Sequence, residues 1–224
     1  MTLPRKVRAV VFDMDGLLFD TEALYRDVVL ATASEAGHDM PLDFYLSTVG
    51  TPLQGTREIF ERHYGAGFDF DAFWGKTTQR FAKMVETELR LKTGVVELLD
   101  LLDELALPRA VATSSHHEHA QHHLGAFDLT HRFHAVVAHG DYARGKPHPE
   151  PFLTAAERLG VAPTHCLALE DSWHGVRAAS AAGMMTIMVP DLMSATPEME
   201  KLCVHIAADL HEVCGLMKAV SVSA

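Results

Sequence analysis

Two carboxylates stand one residue apart in the segment VVFDMDG, where Asp13 and Asp15 follow directly on an apolar run. Like charges repel at this spacing, and a carboxylate at the end of a buried strand is costly unless a cation compensates it. Other polar groups follow apolar runs in the same way. Thr113, Ser114 and Ser115 come after RAVA, Lys146 lies in the loop GKP beyond HAVVAHGD, and Glu170, Asp171 and Ser172 come after HCLAL. Together these are four acids, several hydroxyls and one lysine, the inventory of a magnesium–phosphate site. Hard carboxylate oxygens hold the divalent cation, hydroxyls and backbone N–H groups bind phosphate oxygens, and the lysine adds a point charge. The cation also removes the repulsion between neighbouring acids.

Elements are needed to bring these residues to one place. The runs VRAVVFD (7–13), RAVATSS (109–115), HAVVAHGD (134–141), HCLALED (165–171) and MTIMVPD (185–191) are apolar without alternation. Strands buried on both faces of a parallel sheet read this way. Helical patterns lie between them: VVELLDLLDEL, then HHEHAQHHLGAF with Ser114 and Ser115 as candidate N-caps, PEPFLTAAERLG closing at Gly160, and GVRAASAAG ending at Gly183. The alternation predicts an α/β fold, a doubly wound Rossmann-like parallel sheet, in which ligands bind at the carboxyl ends of the strands. Residues 17–92 read as helical with no strand-like run. The expected organisation is a core of residues 1–16 and 93–224, with a helical domain of residues 17–92 inserted after the first strand. Beyond Pro190 a loop, a short strand near Cys203 to Ala207 and a final helix from about Asp209 are expected.

The four polar segments, in this order, resemble the four motifs of the haloacid dehalogenase-like superfamily. FDMDG resembles the first, ATSS the second, GKPHPEPF the third and LEDSWHGVRAA the fourth. The helical insert between the first two resembles the helical cap of the subgroup holding small-molecule phosphatases and β-phosphoglucomutase. The resemblance implies a magnesium-dependent phosphatase acting on a small phosphorylated metabolite, a sugar phosphate or a nucleotide-derived monophosphate. It implies Asp13 as the nucleophile that becomes an aspartyl-phosphate, and Asp15 as the acid and base that serves leaving group and water. It implies metal ligation by the Asp13 carboxylate, the Asp15 carbonyl and Asp171, with Glu170 as a ligand or just behind one. Thr113 and Ser114 would bind the phosphoryl group, and Lys146 would pair with Asp13 and the phosphoryl oxygens. Gly16 would turn the chain out of the site. The insert is expected to open and close over the site. Gly50, Leu53, Gln54 and Lys76 are candidate substrate contacts of the insert. The mutases of this subgroup carry an arginine where this chain has Leu53 and a histidine where it has Tyr25, which favours hydrolysis over a phosphohexomutase. A receiver-like phosphoacceptor module shares the acids, hydroxyls and lysine, but it has no insert of this size and no use for Asp15.

Composition narrows the classes further. The 224 residues are 48% hydrophobic and carry a net charge of -11. The negative field disfavours a nucleic-acid partner and obliges any phosphate site to make its own positive potential. No run approaches the length of a membrane span, and three scattered cysteines suggest no disulfide framework, so a cytoplasmic protein, monomeric or weakly dimeric, is expected. The histidine-rich segment HHEHAQHH (116–123) offers His116, His119 and His123 at helical ligand spacing. It lacks a further clear ligand, so a solvated helix face is expected rather than zinc. Asp20 reads as a hinge residue, Trp173 as packing beside the site, and Met184, Met185 and Met188 as core.

Overall fold

The computed structural model describes residues 3–51, 53–65 and 67–221. The first apolar run forms β1 (Ala9–Phe12), every residue of it buried. Four helices follow: α1 (Thr21–Glu35), α2 (Leu42–Leu46), α3 (Leu53–Tyr64) and α4 (Phe70–Glu88). Strands and helices then alternate as α5 (Val95–Glu104), β2 (Arg109–His116), α6 (His117–Ala126), β3 (Ala135–His139), α7 (Glu150–Leu159), β4 (Cys166–Glu170), α8 (Trp173–Ala181) and β5 (Met185–Met188). The chain ends in α9 (Pro197–Leu202), β6 (His205–Ile206) and α10 (Leu210–Ser221). It divides into two compact units, Met1–Asp20 with Leu91–Ala224, and Thr21–Arg90.

The first unit is the α/β one. Its six strands are all parallel in the order β3-β2-β1-β4-β5-β6, so β1 lies inside the sheet between β2 and β4. The reason is burial on both faces: β1 and β4 expose none of their residues, and side chains such as Phe12, Leu169 and Phe152 are fully enclosed. Each such side chain contributes about 1.5–3 kcal/mol over its exposed state. Register does the rest. Phe12 pairs with Val111 on one side and Leu169 on the other, so one step further along Asp13 comes level with Ala112 and Glu170. Gly16, at φ 84°, then turns the chain away, and Lys92 N–H donates to the Leu18 carbonyl at 2.9 Å while Phe19 bridges to Leu91. The segments that leave the sheet unit and return to it therefore run side by side. Lys92 ties them down with ion pairs to Asp191 at 2.7 Å and to Asp20 at 3.4 Å.

The second unit has an aromatic core of its own. Phe60 of α3 is buried, and its ring lies 5.3–6.0 Å from those of Phe44, Tyr64, Phe68, Phe70 and Phe73. Aromatic pairs at this separation add about 0.5–1.5 kcal/mol each beyond the area they bury. Asp69 caps α4 by accepting from Ala72 N–H at 3.0 Å.

One expectation fails locally. Ser114 and Ser115 do not cap α6, because β2 continues through His116, which stands at the N-cap without a side-chain bond. The two serines are thereby freed for other partners. Met184, Met185 and Met188 are buried as expected, and Trp173 packs against the cluster of Val176, Met188 and Met199 while donating to the Ser194 carbonyl at 3.0 Å.

Gly94 is a sensitive joint of the sheet unit. It precedes α5 at φ 89°, and a Cβ there would lie 2.5 Å from the His211 backbone nitrogen and 2.8 Å from the Leu210 backbone carbon. Neither neighbour is a side chain that can swing aside. Gly94→Ala is expected to lower stability by about 2–4 kcal/mol, combining backbone strain with overpacking. Urea unfolding checks this, and a midpoint equal to that of the parent would contradict the crowding.

Candidate active site

The carboxyl ends of β1, β2 and β4 and the loop after β3 converge on one cluster. Asp13 continues β1 and its N–H donates to the Leu169 carbonyl at 2.9 Å, which locks it to the neighbouring strand. Glu170 ends β4 with 0% of its surface exposed. The Lys146 ammonium reaches from the β3–α7 loop to both, bonding Asp13 and lying 2.5 Å from a Glu170 oxygen, with the Phe152 ring 5.1 Å beneath it. The other Glu170 oxygen accepts from the Ser172 N–H at 3.1 Å and the Ser172 hydroxyl at 2.9 Å. That hydroxyl also caps α8 by accepting from Gly175 N–H at 3.1 Å. Gly175 has to be glycine, since a Cβ there would overlap the Glu170 carboxylate itself.

Carboxylate oxygens of Asp13, Glu170 and Asp171 lie within 4.8 Å of one another, all three residues buried. Burial pushes the Asp13 carboxyl up to about 8, with Lys146 pulling it down and Glu170 and Asp15 pushing it further up. Burial works against the charge on Lys146 as well, but Asp13 and Glu170 outweigh it and hold the ammonium above its usual range. Lys146 thus answers two buried carboxyl groups, Asp13 and Glu170, with one positive charge. Hard oxygen donors at this spacing fit a divalent cation of the magnesium type. Among the described residues no histidine group of three ligands competes with this cluster.

Asp15 faces elsewhere. Its Oδ2 accepts from the Ser115 hydroxyl at 2.7 Å and stands 3.5 Å from the Thr113 hydroxyl. The Thr113 hydroxyl in turn accepts from Ser115 N–H at 3.0 Å, and its carbonyl accepts from the Tyr142 hydroxyl at 3.0 Å. Asp13 and Asp15 are thus one residue apart with separate surroundings, one against the lysine and the acids, the other against hydroxyls. Ser114 lies between Thr113 and Ser115 and is exposed.

His123 overturns the expectation of a solvated histidine face. It is 6% exposed and packs edge-on to Phe19 at 5.5 Å, with Nδ1 3.9 Å from Asp15 Oδ1. Burial lowers its pKa against the opposing pull of Asp15, with His122 and His119 lowering it further. Its Nδ1 has no hydrogen-bond partner, which costs about 1–3 kcal/mol for a buried polar atom. His116 and His119 remain exposed, and the His116 ring lies tilted against that of His139, with centroids 4.4 Å apart. The sequence carried a signal for His123: Ala120, His123, Leu124 and Phe127 fall at i, i+3, i+4 and i+7, an apolar stripe with a histidine in it. Ser115 already stood among the polar residues that follow the run of β2, whereas Tyr142 had no such signal as a site residue.

The candidates of the helical unit do not gather in one place. Gly50, at φ 73°, lines a concavity of about 170 Å³ with Glu22, Tyr25, Tyr45 and Trp74. Leu53 opens α3 and is 51% exposed, and Gln54 donates to Glu58 at 3.2 Å. Lys76 lines a different concavity, of about 410 Å³, with Arg80 and Lys83. Burial raises the pKa of Tyr25, whose ring packs on Phe81 at 5.1 Å.

Comparison with known proteins agrees with this geometry. Residues 7–183 match the haloacid dehalogenase-like hydrolases. The chain is 34% identical to the putative phosphatase YhcW of Bacillus subtilis, covering 85% of this chain and 86% of that one. It is 33% identical to hexitol phosphatase B of Escherichia coli K12, with the same coverage of 85% and 86%. A solved structure of a putative beta-phosphoglucomutase from Thermotoga maritima matches with a TM-score of 0.81 and 28% identity, covering 96% of this chain and 100% of that one. No helix among the described residues is long and apolar enough to cross a membrane. With the acid cluster, the parallel sheet and these relatives in agreement, the chain belongs to the haloacid dehalogenase-like hydrolases and is a phosphoric monoester hydrolase among them.

Proposed function

We propose that this enzyme is a magnesium-dependent phosphatase that hydrolyses a small phosphomonoester, a sugar phosphate or a nucleotide-derived monophosphate, through a phosphorylated Asp13. One observation carries the reading: the buried carboxyl groups of Asp13, Glu170 and Asp171 cluster, with Lys146 bonding the first two, while Asp15, two residues from Asp13, accepts from Ser115. Similarity to a hexitol phosphatase supports the sugar-phosphate side of the substrate range.

In this reading an Asp13 oxygen bonds to phosphorus as the ester P–O bond breaks, and Asp15 gives its proton to the departing oxygen. Asp15, now a carboxylate, takes a proton from water as the water oxygen bonds to phosphorus. The bond from Asp13 to phosphorus then breaks, orthophosphate leaves, and both acids return to their starting states. The Thr113 hydroxyl and the Ser114 backbone N–H bind phosphoryl oxygens, and Lys146 offsets charge beside them. Asp13 and Asp171, with the Asp15 carbonyl, are the residues that would hold magnesium, which when bound supplies the charge that neutralises the phosphoryl oxygens. Both Glu170 oxygens are already engaged by Lys146 and Ser172, which favours Glu170 as the residue that fixes Lys146 rather than as a direct ligand.

The helical unit is the substrate-selecting part of this scheme, with Gly50, Leu53 and Gln54 as its reading residues. A mutase has to hold two phosphates. The concavity around Gly50 has no lysine or arginine among the described residues of its wall, Leu53 is apolar, and Tyr25 is tied into aromatic contact. These features favour transfer to water.

Chelation with EDTA is expected to abolish turnover and added magnesium to restore it. Across a panel of phosphomonoesters the products should be orthophosphate and the free alcohol. A hexose 1-phosphate converted to its 6-phosphate in response to a bisphosphate activator would mean a mutase instead. Asp13→Asn is expected to eliminate turnover, and Asp15→Asn to lower kcat by about 10²–10⁴ with the fold retained. Unimpaired hydrolysis by Asp15→Asn, followed by phosphate release, would remove Asp15 from the chemistry.

A further inference from the structure

We infer that His123 is a positioning residue for the acid/base carboxyl of Asp15, its Nδ1 closing on Asp15 Oδ1 during turnover. The inference rests on the reading of Asp15 given above. Asp15 is held on one side only: Oδ2 accepts from Ser115 at 2.7 Å, whereas Oδ1 faces His123 Nδ1 at 3.9 Å. That nitrogen is buried and has no hydrogen-bond partner. The separation exceeds hydrogen-bond range, but catalytic contacts are often long before substrate binds and tighten afterwards. A displacement of about 1 Å would join the two atoms within the usual 2.7–3.2 Å.

The ring is already aimed. Phe19 meets it edge-on at 5.5 Å and at 66°, and Phe19 itself bridges back to Asp15 in the turn that follows β1. The same turn therefore fixes both the acid and the aromatic ring against which the histidine packs. A neutral imidazole with its proton on Nδ1 donates to the carboxyl without changing its charge. A carboxyl group has about four lone-pair positions, so Ser115 and His123 together leave room for the leaving oxygen and for water. His123 neither gains nor loses a proton in this scheme. It sets the direction in which Asp15 delivers one.

A positioning role separates from a structural one through the leaving group. An alkyl phosphate needs a proton from Asp15 as its P–O bond breaks, whereas p-nitrophenyl phosphate expels a stable anion and does not. His123→Ala is expected to lower kcat/KM for a hexose phosphate or glycerol phosphate about tenfold or more, and for p-nitrophenyl phosphate less than about threefold. His123→Asn, which keeps an N–H near the same point, should recover most of the loss. If His123→Ala does not fold, as judged by its thermal unfolding, His123→Phe preserves the packing on Phe19 and takes its place. Equal losses on both esters, or no recovery with asparagine, would overturn the inference. Asp15→Asn, measured in parallel, keeps the two readings apart. If it fails to discriminate between the esters, the role of Asp15 falls. If it discriminates and His123→Ala does not, only the role of His123 falls.

Discussion

The ammonium of Lys146 lies between two carboxyl groups that are shut away from solvent, and much of the sheet unit is arranged around that contact. Glu170 is completely enclosed at the end of β4, and Asp13 is nearly so at the end of β1. Charges buried this deeply are tolerated only when paired and hydrogen-bonded. The pairing requires three chain segments far apart in sequence to end at one level. Parallel register supplies it, because Phe12 opposite Leu169 brings the next residues of the two strands side by side. With one ammonium shared between Asp13 and Glu170, the cluster of buried acids is suited to a divalent cation.

The start of α8 shows how narrow the tolerance is. Ser172 serves two masters, accepting from Gly175 N–H to cap the helix and donating to Glu170 to hold its carboxylate. Gly175 stands where any side chain would collide with that carboxylate. Helix capping and site geometry thus share one hydroxyl, so a disturbance of either reaches the other.

The parallel sheet was legible because unbroken apolar runs have few other uses. The acids at their ends were legible because two carboxylates at one strand terminus require a compensating cation. The segment around His123 suggests a wet surface because five of its eight residues are histidines, although the helical period puts His123 among Ala120, Leu124 and Phe127. Local propensity favours Ser114 and Ser115 as caps before a helix, whereas pairing with β3 carries β2 on to His116. The hydrogen bond from Tyr142 to the Thr113 carbonyl spans 29 positions and depends on how a loop folds, for which no local pattern exists. The aromatic cluster around Phe60 is of the same kind: the aromatic residues are plain in the sequence, but which of them meet is a matter of packing.

The pairing of Leu18 and Phe19 with Leu91 and Lys92 has a consequence for how such a protein can be built. Adjacent strands lie about 5 Å apart, so the points where the chain leaves and rejoins the sheet unit are separated by little more than the span of a tight turn. A folded segment whose ends meet closes no long flexible loop, and the sheet bears almost no entropic cost for its presence. From the standpoint of the six strands, Thr21–Arg90 is a replaceable cassette. Its length and fold can drift, or be exchanged outright, while β1 and β2 continue to pair as though a hairpin-sized link joined the two sides of the gap.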